Sequence, residues 1–108
     1  MDKIETMKVI KKFIKALKMR GINIDKVILY GSYIKGNVRP DSDINVAIVS
    51  KDFGQDRVEE GMMLFRIAGT IDSRLEPVPI STEAYKKDLW NPLIYEIRKR
   101  GQIIKNLD

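Results

Sequence analysis

The chain of 108 residues contains no cysteine and no histidine. Without cysteine it can form neither a disulfide framework nor a thiolate metal site. Without histidine it has no imidazole ligand for a metal and no base for a serine–histidine catalytic pair. Any chemistry must therefore be carried out by carboxylates, hydroxyls, lysine and arginine.

Long apolar runs are also missing, and the excess of positive charge is only moderate. No segment approaches the roughly 18 consecutive apolar residues of a membrane span, and the mixed-charge N-terminus does not resemble a signal peptide. We therefore expect a cytoplasmic protein with no membrane partner. The net charge of +5 permits a nucleotide, a nucleic acid or an acidic protein as partner without demanding one. The length predicts a single domain over residues 1–108.

The most informative stretch covers residues 30–49. An apolar run ends at Gly31-Ser32, a polar segment follows, and a second apolar run begins with Asp43 at its edge and Asn45 further in. Residues two apart in a strand face the same side of the sheet, so Asp43 and Asn45 share one face. Two oxygen-bearing side chains on a strand of a hydrophobic sheet need an explanation. A bound Mg²⁺ would supply one, because hard cations take oxygen ligands.

Gly31 and Ser32 are candidates for holding phosphate. A helical turn that begins there would offer free backbone N–H groups and the serine hydroxyl to phosphate oxygens. The alternative is a plain turn in which Ser32 is only an N-cap. Lys35 and Arg39 lie in the same loop and are weaker candidates for contact with a triphosphate, because loops are often charged.

A third acidic candidate is Glu76, which precedes Pro77 and Pro79. Two prolines without N–H groups on the same side predict an edge strand. A carboxylate among aliphatic neighbours is costly to bury unless it is paired or bound to a metal. Asp72 is a rival acid, expected at the surface near a helix end. The alternative for Glu76 is a salt bridge to one of the nearby arginines, Arg74, Arg57 or Arg66.

The element order predicted from periodicity is helix–strand–strand–helix–strand–helix–helix–strand, a mixed α/β (α+β-like) domain with a small mixed sheet flanked by helices. Neither a Rossmann glycine motif nor a P-loop is present. The predicted helices include residues 3–20 and 56–71, a helix capped by Ser81 that runs to Leu89, and one from Pro92 to Arg100. The predicted strands include 25–30, the run through Val49, the proline-containing edge strand and a last strand over 102–107.

Two helices carry apolar stripes at helical spacing. In the first, the stripe consists of Ile4, Met7, Ile10, Phe13, Ile14 and Leu17, opposite the lysines at 8, 11, 12, 15 and 18. These lysines predict either a solvated face or a docking surface for an acidic partner or phosphate backbone. In the helix over 56–71, the predicted inward residues are Val58, Met62 and Phe65, with Gly69 as a further candidate. Trp90 and Tyr95 are interpreted as packing residues, with a partner interface as the alternative.

Gly31-Ser32, ten intervening residues and Asp43-x-Asn45 together resemble the Gly-Ser-x10-Asp-x-Asp signature of the minimal nucleotidyltransferases. These are the smallest members of the DNA polymerase β-like nucleotidyltransferase superfamily, and the resemblance covers nearly the whole chain. It implies the nucleotidyltransferase fold, ATP as substrate and a two-Mg²⁺ site whose ligands are Asp43, Asn45 and Glu76. Asp43 and Glu76 would be the catalytic carboxylates, and Gly31 and Ser32 would hold the β- and γ-phosphates.

The activity implied by this resemblance is transfer of a nucleoside monophosphate, AMP from ATP, to a hydroxyl acceptor. Asn45 departs from the family pattern, which has aspartate here. An amide oxygen can ligate Mg²⁺ but brings no charge, and loss of one catalytic electrostatic contact commonly costs about 10²–10³ in rate. Asp41 is a possible substitute, although it lies in the polar loop beside Pro40.

Two other functions remain open at this point. Family members are often encoded beside a HEPN-domain protein and act as its antitoxin, so a catalytically degenerate binding module that neutralises such a partner is the main alternative. The other is a basic nucleic-acid binder that uses the stripe from Lys8 to Lys18, which is less favoured because no aromatic residues are interleaved with the lysines. A homodimer is also possible.

Overall fold

A computed structural model describes residues 3–32 and 42–104 of the chain. The described elements follow the predicted order and confirm the mixed α/β class. Their bounds are α1 Lys3–Met19, β1 Lys26–Tyr30, β2 Ile44–Ser50, α2 Arg57–Ile71, β3 Leu75–Ser81, α3 Thr82–Lys87, α4 Pro92–Arg100 and β4 Gln102–Ile103. None of these described helices has the length and apolarity needed to cross a membrane.

The four strands form one mixed sheet in the order β3-β2-β1-β4. β1 is antiparallel to both β2 and β4, whereas β2 and β3 are parallel. The position of β3 at the edge confirms the prediction from its prolines. The N–H of Ile44 donates to the carbonyl of Arg74 at 2.7 Å, so the even-numbered residues of β3 bond towards β2. Pro77 and Pro79 therefore lack an N–H only on the free edge, where no ladder bond is lost.

Helices cover both faces of the sheet. On one face, α1 and α2 bury their apolar residues against Leu29, Val46 and Leu75. On the other face, Ile94 and Ile97 of α4 pack against a second cluster. The strand residues in that second cluster are Ile28, Ala47, Val49 and Ile80. Since the polar positions of β2 alternate with those buried under α1 and α2, the functional candidates point to the α4 face.

Two predicted helix beginnings are confirmed. Ser81 caps α3 through its hydroxyl, which accepts a backbone N–H at 3.0 Å, and α4 begins at Pro92. Asp56 also caps α2. Gly21 follows α1 with a φ of 81°, in the left-handed region that glycine adopts without strain. These caps fix where each helix meets the sheet.

The predicted inward stripe of α2 is wrong. Val58, Met62 and Phe65 are exposed, and the buried residues of this helix are Leu64, Ile67 and Ala68. Both sets occur at helical spacing, so the pattern alone allowed either face of α2 to meet the sheet. In the structure, the face that contains Leu64, Ile67 and Ala68 packs against the sheet.

Three further expectations are corrected. Trp90 is 92% exposed and Tyr95 53% exposed, so neither is a packing residue in the monomer. Ile4, the first member of the α1 stripe, is exposed because it lies at the beginning of the helix. The last strand is Gln102–Ile103 within the described residues, and positions 105–107 of the prediction lie outside them.

Candidate active site

Three strands meet at one end of the sheet and align three polar side chains. Tyr30, the last residue of β1, pairs with Asn45 of β2, and Asn45 pairs with Glu76 of β3. Partners in register on neighbouring strands face the same side and are about 5 Å apart. The sheet therefore places Asn45 between Tyr30 and Glu76, on the face that α4 covers further along.

Gly31 lies directly against Asn45. Its φ is +82°, and a Cβ atom added there would be 2.7 Å from Nδ2 of Asn45 and 3.4 Å from its Cγ. The 2.7 Å contact would force the Asn45 side chain to move, and the backbone conformation independently favours glycine. The predicted phosphate-binding turn thus begins next to the position where the family pattern has its second aspartate.

The carboxylates of the candidate set are accessible. Glu76 and Asp43 are exposed, whereas Asn45 is half-buried, and Asp43 directly precedes the first residue of β2. Two carboxylates and one amide are oxygen donors of the kind that Mg²⁺ accepts, so the residue types fit such an ion with one negative charge fewer than three carboxylates would give. Among residues 3–32 and 42–104, no group of three or more acidic side chains is arranged to hold a metal.

Two of the three arginines considered as partners of Glu76 have other carboxylates close by. Nε of Arg74 donates to Oδ1 of Asp72 at 2.9 Å, and a second guanidinium nitrogen donates to Oδ2 at 2.7 Å. This side-chain bond from Arg74 is the main reason why the pKa of Asp72 is lowered. A guanidinium nitrogen of Arg66 lies 3.9 Å from Oε1 of Glu59. Asp72, the rival acid, therefore forms an ion pair with Arg74 at the end of α2.

Tyr30 and Glu96 were missed by the sequence reasoning. Burial raises the pKa of the Tyr30 phenol, and the carboxylates of Glu76 and Glu96 raise it further. The phenol therefore stays protonated beside two acidic groups. Tyr30 was detectable as the residue before Gly31, but Glu96 belongs to α4, and no local pattern relates it to the ends of β1 and β3.

The structure does not place every candidate. Ser32 is half-buried next to Gly31. Lys35, Arg39 and Asp41 lie outside the described residues. The end of the sheet thus brings together Gly31, Asn45 and Glu76, with Asp43 two residues before Asn45 on the chain.

The fold and the row of polar side chains define a small α/β protein with a candidate site at one end of a mixed sheet. Residues 10–108 match the family model described as "Polymerase beta, Nucleotidyltransferase", so the chain belongs to this nucleotidyltransferase family.

One relative and one solved structure are similar to this chain. The chain is 31% identical over 101 residues to a Methanocaldococcus jannaschii protein named "Putative protein adenylyltransferase", a match covering 94% of this chain and 97% of the relative. It also resembles the crystal structure of a protein from Sulfolobus solfataricus titled "putative nucleotidyltransferase". The TM-score is 0.67 at 17% identity, with 93% of this chain and 79% of the other covered, so this likeness supports the fold alone.

Proposed function

We propose that this protein transfers a nucleoside monophosphate, AMP from ATP, to a hydroxyl acceptor in a Mg²⁺-dependent reaction. The observation that carries the proposal is the register that sets Glu76 beside Asn45, with the backbone of Gly31 against Asn45. Family membership supports nucleotidyl transfer as the reaction class. The name of the Methanocaldococcus jannaschii relative supports adenylyl transfer and a protein acceptor.

Each residue of the candidate set has a proposed role. Gly31 and Ser32 bind the β- and γ-phosphates through backbone N–H groups and the serine hydroxyl, with Lys35 and Arg39 as further contacts. Oxygens of Asp43, Asn45 and Glu76 hold Mg²⁺. When bound, Mg²⁺ neutralises charge that develops on the transferring phosphoryl group and on the leaving oxygen.

In the proposed step, the acceptor hydroxyl oxygen forms a bond to the α-phosphorus of ATP. The bond from that phosphorus to the oxygen bridging it to the β-phosphate breaks, and pyrophosphate leaves with the electron pair. Glu76, which is exposed and therefore reachable by an acceptor, takes the hydroxyl proton. The products are the adenylylated acceptor and pyrophosphate.

Asn45 makes the site less negative than the family pattern. A nucleoside triphosphate with its cations then meets two protein carboxylates instead of three, and the transition state is less well compensated. We therefore expect this protein to be a slow enzyme that the Asn45→Asp variant accelerates, by about 10²–10³ if the missing charge acts in the transition state.

The experiment is incubation with ATP labelled at the α-phosphate and Mg²⁺, followed by detection of label on protein, with this chain and candidate acceptor proteins present. Glu76→Gln should lower the rate and Asn45→Asp should raise it. Glu59→Gln, which removes an exposed carboxylate on α2, is the matched control. If neither Glu76→Gln nor Asn45→Asp changed the labelling, the proposed catalytic roles would be wrong.

A second candidate function is a degenerate binding module that neutralises a HEPN-type partner. The specific observation in its favour is Asn45, which removes a charge from the site while leaving Gly31 packed against it. This function predicts that partner binding survives both Asp43→Ala and Glu76→Ala, whereas nucleotidyl transfer does not. Isothermal titration with the purified partner would separate the two.

A further inference from the structure

The outer side of α2 carries an apolar stripe that the monomer leaves exposed. Val58, Met62 and Phe65 are 74%, 51% and 63% exposed and line one shallow groove along the helix. Single exposed apolar residues are normal, but a contiguous row of large ones marks an interaction surface. We call Val58, Met62, Phe65 and Gly69, which follow one another at helical spacing, the α2 stripe.

Gly69 is an independent sign of a close neighbour. Glycine in a helix interior is destabilising relative to alanine, so it needs a reason. A Cβ atom built at Gly69 meets nothing within 4 Å, and its φ is not in the left-handed region. Neither the conformation of α2 nor the packing of the described residues therefore requires glycine here. A helix approaching from outside would benefit from the missing side chain.

We propose that the α2 stripe is covered by a second copy of this chain, with the two α2 helices antiparallel. A two-fold axis between Met62 and Phe65 sets Met62 of each copy against Phe65 of the other. The same axis sets Val58 of each copy over Gly69 of the other, so a large side chain meets an open position. The stripe is thus self-complementary, as the interface of a symmetric dimer must be.

Charge beside the stripe fits the same arrangement. Glu59 and Arg66 lie on one flank of α2 at 3.9 Å from each other. In an antiparallel pair with the axis between residues 62 and 65, this flank meets its own copy, and Arg66 of each chain comes beside Glu59 of the other. Elsewhere the net charge of +5 makes two copies repel, so this balanced apolar surface is a favourable place for contact.

The free edge of β3, next to α2, favours contact with the second copy through side chains rather than through strand pairing. Pro77 and Pro79 lack the N–H groups that a second sheet would need along this edge. A contact through α2 about a two-fold axis closes on itself and gives a dimer rather than a fibre. The inference goes beyond the proposed nucleotidyl transfer and does not depend on it.

The first test is the molar mass of the full chain by light scattering or sedimentation, from low micromolar to near-millimolar concentration. We expect a concentration-dependent monomer–dimer equilibrium. Phe65→Ser should weaken dimerisation at least tenfold, and Ile103→Ser, an exposed apolar residue at the opposite edge of the sheet, should leave it unchanged. Gly69→Leu is the sharper variant, because it fits the monomer freely but collides with Val58 of the second copy.

The second test uses the absence of cysteine from the chain. Met62→Cys and Phe65→Cys chains, mixed and oxidised, should form a mixed disulfide in preference to either symmetric one, and Ile103→Cys chains should form none. A chain that stays monomeric throughout the concentration range would overturn the proposal, including the case in which a different protein covers α2. A dimer that tolerates both Phe65→Ser and Gly69→Leu would also overturn it. Glu76→Gln should leave dimerisation unchanged, so a failure of the catalytic proposal remains distinguishable.

Discussion

Helices α1 and α2 pack side by side on the same face of the sheet, yet they use their apolar residues differently. In α1, the predicted residues Ile10, Phe13, Ile14 and Leu17 are buried, and the lysines opposite them are exposed. In α2, Leu64, Ile67 and Ala68 are buried against the sheet, whereas the residues predicted to face inwards are exposed. One helix has a single apolar face, and the other has two.

This difference shows what helical periodicity can establish. The pattern detects that a face of a helix avoids water, but it does not say whether the chain itself or another molecule covers that face. For α1 the polar side is rich in lysine, so only one orientation is possible. For α2 the charged residues are too few to exclude either face, and the contacts of the sheet decide.

The sharpest way to break the comparison is to remove the same ring from each helix. Phe13 is fully buried in α1 and Phe65 is 63% exposed on α2. Phe13→Ala should lower the free energy of unfolding by about 3–5 kcal/mol, because it leaves a cavity in the core. Phe65→Ala should change it by about 0.5 kcal/mol or less. Urea denaturation at a concentration where the chain is monomeric measures both, and equal losses would contradict the assigned faces of α2.

A second pair of variants makes the comparison within α2 itself. Leu64 is fully buried and Met62 is about half exposed. We expect Leu64→Ala to cost about 2–5 kcal/mol of unfolding free energy, since its methyl groups fill the core beneath α1 and α2. Met62→Ala should cost about 0.5 kcal/mol or less in the monomer. Thermal unfolding followed by circular dichroism shows which of the two variants loses more stability. A larger loss for Met62→Ala would mean that α2 is rotated about its axis.

Much of the fold was predictable because its signals are local. The cap at Ser81, the proline that opens α4 and the prolines at the sheet edge each act within a few residues. The face that α2 turns to the sheet was not predictable, because it depends on contacts between residues far apart in the sequence. The exposure of Trp90 has the same origin, because none of the described helices and strands covers it.

The candidate site likewise combines a local sequence signal with a contact between residues far apart in the sequence. The prediction that Asp43 and Asn45 share one face of a strand follows from alternation alone. In the structure, Asn45 lies within β2 and Asp43 directly precedes it. The pairing of Asn45 with Glu76 requires β3 to lie parallel to β2, which the sequence suggested only through resemblance. The roles of these residues stay predictions until they are tested by substitution.

The N-terminus of α2 offers a smaller test of what holds this helix in place. Oδ1 of Asp56 accepts from the N–H of Glu59, and Glu60 returns a bond by accepting from the N–H of Gly54 at 3.0 Å. Asp56→Ala should cost about 1 kcal/mol of unfolding free energy, whereas Asp56→Asn, which keeps the cap, should be nearly neutral. Chemical denaturation of the two variants measures the difference. Equal losses would show that charge at this end of α2 matters more than the capping bond.

The smallest expected effect concerns the loss of stability in acid, and it arises at the C-terminal end of α2 rather than at that of α1. At the end of α1, the N–H of Gly21 donates to the carbonyl of Lys18, and the N–H of Ile22 donates to the carbonyl of Leu17. α2 ends at Asp72, whose pKa lies below its usual value of 3.8 because its carboxylate accepts from the side chain and backbone of Arg74. This bond stabilises the folded state fully above pH 3.8 and is lost as the pH falls through the lowered pKa.

We therefore expect the wild-type chain to lose stability in acid more steeply than an Asp72→Asn variant, by an amount on the order of 1 kcal/mol or less, as for other partly exposed ion pairs. Asp88, whose pKa is lowered by bonds from the backbone N–H groups of Asn91 and Trp90, should contribute a similar slope in both proteins. Urea denaturation at a series of pH values below neutrality measures the difference in slope. Parallel curves would mean that the end of α2, like that of α1, is held by its backbone bond from the N–H of Asp72 to the carbonyl of Ala68.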